Sequence, residues 1–199
     1  LSSEAKRVLP MLVTAGGQAS MEQLGELTGL DDSVDAAVTE LVRQRLVIDE
    51  ATGGECISIY HDQVARELIK TFRTQMLREA HNAWAKLLIR QDDSERLAAR
   101  IAGQLFAAEQ PGRAVAHAIL AAEDAENRVA KAEAGRWYAR VLPYVKGAER
   151  IRQLRNAARC FHEADHPAMA ARYYQDLRQI EEGEERIECL LLATTASIR

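Results

Sequence analysis

Apolar residues recur every three to four positions along most of the chain, the signature of helices with one buried face. Ala5, Val8, Leu9 and Leu12 define a first helix that Gly16-Gly17 closes. Pro10 falls inside it and predicts a kink unless it lies in the first turn, because proline has no backbone N–H to donate. Ser20 and Gln23 form a Ser-x-x-Gln capping box ahead of Leu24 and Leu27, with Gly29 placed to stop a short second helix. After the acidic turn Asp31-Asp32-Ser33, the residues Val34, Ala37, Val38, Leu41 and Val42 line one face of a third helix reaching Arg45. The pattern then changes from helical spacing to extended runs. Leu46-Val47-Ile48 reads as a strand, Glu50 to Glu55 with Gly53-Gly54 as a turn, and Cys56 to Tyr60 as the returning strand.

This alternation breaks at His61-Asp62 and passes directly into a helix with apolar positions Val64, Leu68, Ile69 and Phe72, for which Asp62 is the expected N-cap. A second helix carries Leu77, His81, Trp84, Leu87 and Leu88 on one face. From Ser94 onward the helices become alanine-rich and are broken by small turns. Leu105-x-x-Ala108-Glu109-Gln110-Pro111-x-x-Ala114 can be laid over Phe161-x-x-Ala164-Asp165-His166-Pro167-x-x-Ala170, each with a helix ending just before a proline that can start the next. Trp137, Tyr138 and Val141 belong to a helix between the two, and Ile187, Leu190, Leu191 and Thr194 to a last one. The expected fold is mainly α. Three helices and a β-hairpin follow the winged-helix order, with two connecting helices completing a domain over residues 1–92. Residues 93–199 resemble degenerate tetratricopeptide-like repeats, a helical stack.

Composition narrows the class. Hydrophobic residues make up 47% of the 199 positions but aromatics only 5%, so the expected helices pack through small side chains. The cysteines Cys56, Cys160 and Cys189 are odd in number, far apart and outside any CxxC spacing, so a disulfide framework is not expected and a reducing, cytoplasmic setting is. No apolar run approaches the roughly 20 residues that span a bilayer. A formal net charge of −4 provides no electrostatic footprint for a polyanion. The chain also starts at Leu1, directly in a helical pattern, which suggests a piece of something longer.

Few motifs carry chemistry. His162-Glu163-Ala164-Asp165-His166 has the H-E-x-x-H spacing of a zinc helix, but Pro167 drives His166 out of the helical region, so no metal site is expected. The third helix, Ser33 to Arg45, would read DNA in a transcription factor. Its start is acidic, with Asp31, Asp32 and Asp35, where base edges and phosphates would be approached, which disfavours that use. Trp137-Tyr138 and Tyr173-Tyr174 read as packing residues, and Glu181 to Arg186 as a solvated helix start. With no phosphate loop, nucleophile elbow or kinase motif set, no catalytic residue is expected in this chain.

The stretches Ser58-Ile59-Tyr60-His61-Asp62-Gln63-Val64-Ala65-Arg66-Glu67 and Ala80-His81-Asn82-Ala83-Trp84-Ala85-Lys86-Leu87-Leu88, in this order of parts, resemble the region after the nucleotide-binding domain of STAND-type signalling ATPases. Closest are bacterial serine/threonine protein kinases fused to an AAA-type ATPase. The resemblance implies a full-length parent that binds ATP or ADP and contains a kinase or DNA-binding output domain. It implies that the winged helix hinges onto the preceding nucleotide-binding domain and that the repeats bind a protein or small-molecule signal. It likewise relates His61-Asp62 to the His-Asp of the "MHD" motif, with Tyr60 in place of methionine, where the histidine faces the ADP phosphates of the resting state. The bland alternative for His61-Asp62 is a strand end and a helix cap. For the chain as a whole, the alternatives are a DNA-binding winged-helix regulator with a repeat-type effector module and a plain repeat scaffold.

Overall fold

A computed structural model describes residues 1–30, 33–49, 56–91 and 96–180. The acidic turn at Asp31-Asp32, the hairpin turn at Glu50 to Glu55, Ser94, the Glu181 to Arg186 run, Cys189 and the expected last helix around Ile187 to Thr194 lie outside the described residues, as does the Asp62 side chain. Among the described residues the chain is mainly helical, with ten α-helices, one 3-10 turn and two short strands. It divides into two compact units, residues 1–94 with 104–110, and residues 95–103 with those from Pro111 on.

In the first unit, α1 (Ser3–Thr14) is the axis. Around it lie α2 (Met21–Thr28), α3 (Val34–Arg43), strands β1 (Val47–Asp49) and β2 (Ile57–Ile59), α4 (Asp62–Thr71) and α5 (Thr74–Ile89). Ser2 opens α1 by accepting a hydrogen bond from the Ala5 N–H at 3.1 Å. The helix runs through Pro10, which sits in its interior and not in its first turn. At the start of α2 the capping box forms in both directions, Gln23 N–H to Ser20 Oγ and Ser20 N–H to Gln23 Oε1, each 3.1 Å. Gly29 ends α2 at φ +63°.

The third helix stops at Arg43, two residues earlier than its pattern predicts, and β1 starts one residue late. Both shifts have one cause. Arg45 adopts φ +57°, and the Leu46 N–H turns back to the Leu41 carbonyl at 3.1 Å, so Leu46 closes the helix with its donor. Antiparallel pairing then registers Val47 with Ile59 and Asp49 with Ile57. Ala19 adds a bridge on the far side of β2, exchanging hydrogen bonds of 2.9 and 2.8 Å with Ile57. The core joins Leu12, Leu24, Leu41, Ile57 and Trp84, all buried.

The second unit holds α7 (Pro111–Asn127), α8 (Lys131–Val141), α9 (Gly147–Glu163) and α10 (Pro167–Ile180), each packed on its neighbour in sequence; α6 (Ala98–Ala107) is divided between the two units. Alanines at 114, 118, 121, 122 and 125 bury one face of α7, and Tyr138, Leu154, Phe161, Tyr173, Tyr174 and Leu177 fill the space that small residues leave. Pro111 and Pro167 do start helices. The turns before them share one backbone, with Glu109 and Asp165 both at φ +56° and the next N–H returning to the carbonyl five residues back at 2.9 Å. A third turn of this kind joins α7 to α8 at Val129 (φ +60°), although its sequence carries neither proline nor glycine.

Candidate functional site

His61 lies where β2 hands over to α4. The pairing continues to Tyr60, whose N–H reaches the Leu46 carbonyl at 3.0 Å, and the His61 carbonyl then accepts the Ala65 N–H at 3.1 Å to begin the helix. His61 is therefore itself the N-cap residue and Asp62 the first residue of α4, a correction by one position. The reason is backbone geometry: His61 keeps strand torsions of φ −158° and ψ 141°, while Asp62 is already helical. The imidazole makes no capping hydrogen bond and is exposed.

Around this junction the apolar surface is only partly covered. Leu68 and Phe72 pack against the core of the first unit, yet none of the described side chains of α4 is fully buried, Ile69 is 42% exposed and Tyr60 54%. A strand end, an outward imidazole and a half-covered helix face thus adjoin one another.

The H-E-x-x-H segment is split by the turn that Pro167 predicts. His162 is in the last turn of α9 and meets Tyr174 edge-on, with ring centres 6.3 Å apart. His166 follows Asp165 in the turn and sits edge-on to Phe161 at 6.2 Å. The expected packing roles of Tyr138, Tyr173 and Tyr174 are met, all three being buried.

Sequence reasoning missed two polar clusters. In the first unit, the buried Gln104 amide donates to the Thr14 carbonyl at 2.8 Å and its Oε1 meets His81 Nδ1 at 2.7 Å, satisfying the end of α1. In the second unit, Glu126 accepts from both Arg159 Nη2 (2.7 Å) and Tyr138 Oη (2.8 Å), and Lys131 reaches Glu163 at 3.0 Å. Burial pushes the Glu126 carboxyl up, but the hydrogen bonds from Arg159 and Tyr138 and the Arg159 charge outweigh it and hold the group below the usual carboxylate range. Burial also raises the Cys160 thiol to about 11, which leaves it unreactive.

A carboxyl lowered by folding stabilises the native state above its unfolded value, and that contribution disappears as pH falls through the lower folded value. Glu126→Gln should therefore be less stable than the native chain near neutrality, with the gap closing below about pH 4. Thermal melts of both proteins across that range test this; a gap constant with pH would mean that the carboxylate charge is irrelevant.

Among the described residues, no group of His, Cys, Asp and Glu side chains could hold a metal ion, and no helix is long and apolar enough to cross a membrane. Comparison of the chain with protein-family models, curated proteins and solved structures finds no match.

Proposed function

We propose that this chain is a non-catalytic regulatory segment of a larger signalling ATPase or ATPase-linked kinase. In this reading the first unit is a winged helix with two connecting helices, hinged onto a nucleotide-binding domain of the same parent chain. The second is a tetratricopeptide-like stack that takes a protein or small-molecule signal. One observation carries the reading: the chain leaves β2 through an exposed His61 whose side chain has no capping duty, beside a helix face that its own unit only half covers. An imidazole there can donate to a phosphate oxygen, which suits it to distinguishing ADP from ATP across a domain junction. Asp35 in the first turn of α3 supports protein contact over DNA contact for that helix, because a carboxylate there repels phosphate.

His61→Ala separates the two meanings of the junction. With no side-chain hydrogen bond to another described residue to lose, the segment's stability should change by no more than about 0.5 kcal/mol. In the parent, loss of one hydrogen bond present only in the ADP-bound state should favour the active state by about 1–3 kcal/mol, read as raised basal output. A strongly destabilised segment with unchanged basal output in the parent would make His61 a structural residue and remove the sensor reading.

A further inference from the structure

The outward side of α3 is a shallow apolar groove of about 240 Å3, floored by Met21, Val38, Val42 and Ile57, with Val42 38% exposed. Its charges are arranged with a symmetry of their own. Asp35 stands at one end and Arg43 at the other, each four residues from Thr39, so each lies ~6 Å along the helix axis from a common centre. Residues 35, 39, 42 and 43 share one helix stripe. Asp35, Thr39, Val42 and Arg43 are all exposed, and the Asp35 and Arg43 side chains make no hydrogen bond or ion pair with another described residue.

We infer that this groove is a homodimer surface, in which α3 of a second copy lies antiparallel across it about a twofold axis at Thr39. A twofold interface requires that what one copy presents at one end, the other accepts there. Antiparallel packing meets that requirement: Asp35 faces Arg43 of the second copy, Arg43 faces its Asp35, and Val42 enters the apolar floor. No other occupant follows from the pattern so directly. A polyanion would meet Asp35, and a uniformly acidic or basic peptide would satisfy one end and be repelled at the other.

The plainer role of these residues is to complement their own helix dipole, an acid in the first turn and a base in the last. That role explains their signs, but it gives no reason for their equal spacing about Thr39 on the rim of an apolar groove. One helix and its flanks bury little area, so the dimer is expected to be weak, forming between roughly 10 μM and 1 mM.

Sedimentation of the whole chain over that range is the test. The native chain should pass from monomer to dimer, while Asp35→Arg and Arg43→Asp should each stay monomeric, because each places like charges at both ends. Mixed in equal amounts, the two variants should again form a dimer, since one then presents two cations to the two carboxylates of the other. A dipole role alone cannot produce that rescue. Thr39→Arg supplies a second disruption, bringing two cations together on the axis with Asp35 and Arg43 intact, and circular dichroism checks that each variant is folded. A native chain that remains monomeric at the highest concentration, a dimer that survives in the single variants, or a mixture that stays monomeric would each overturn the proposal.

Discussion

Trp84→Ala should cost the first unit about 3–5 kcal/mol, a large part of the stability a domain of this size commonly has. The indole on α5 is fully buried and belongs to the cluster that joins α1 to the hairpin. Its Nε1–H also has a specific duty, donating to the Met11 carbonyl at 2.8 Å. The backbone donor expected for that carbonyl is the Ala15 N–H, but α1 tightens at its end and this N–H bonds to the Leu12 carbonyl instead, at 3.3 Å. Truncation would leave a cavity and weaken the satisfaction of a helix end together. Trp84→Phe keeps most of the apolar volume and gives up the hydrogen bond, so it should cost roughly 1–3 kcal/mol. Urea denaturation followed by circular dichroism measures both. Trp137, the other tryptophan and part of the second unit, offers a fluorescence signal for that unit in the same samples. A Trp84→Ala protein within 1 kcal/mol of the native chain would show that the indole is not the keystone that its burial implies.

Features written within a few neighbouring residues were legible before the structure. Ser20 and Gln23 encode a cap whose donors and acceptors lie three residues apart, and both bonds form. Pro111 and Pro167 start helices because a ring without an N–H is tolerated there. Legibility fails where one backbone torsion decides between neighbours, as with the extended His61 taking the cap position one residue before Asp62. It fails completely where partners are remote in sequence. Glu126 follows Glu123 and Asp124 and looks like one more solvated acid, yet its main partner Arg159 lies 33 residues away. Gln104 reaches the Thr14 carbonyl across 90 residues. At the candidate site, the place of His61 at the strand-to-helix junction follows from the pattern, whereas its exposure does not, because strand alternation alone would put it on the face of Ile57 and Ile59. The α3 groove is hidden from the sequence for a related reason: helical spacing shows that Asp35, Thr39 and Arg43 share a stripe, but part of the apolar floor beside them comes from Met21 and Ile57 on other elements.

Gly135→Leu should destabilise the second unit by about 3 kcal/mol, although a glycine inside a helix is ordinarily a position where substitution helps. Gly135 is buried within α8 and faces the ring of Phe161 on α9. A Cβ added there would lie 3.1 Å from Phe161 Cε2 and 3.2 Å from Cδ1 and Cδ2, closer than carbon atoms pack at rest. The ring has little room to yield, since it is 3% exposed, stacked on Tyr173 with centres 5.7 Å apart, and flanked by the His166 ring. Gly135→Ala therefore gains the helix propensity of alanine, about 1 kcal/mol, and loses a similar amount to the crowded ring, ending close to neutral. Leucine gains no more propensity and adds three further carbons to the same space, so overpacking prevails. Denaturation of both variants, with the tyrosine signal in near-ultraviolet circular dichroism as a reporter of the Phe161–Tyr173 stack, gives the comparison. If Gly135→Ala gained the full propensity and Gly135→Leu remained as stable as the native chain, Phe161 would be free to move, and the close approach of α8 to α9 would not depend on the missing side chain.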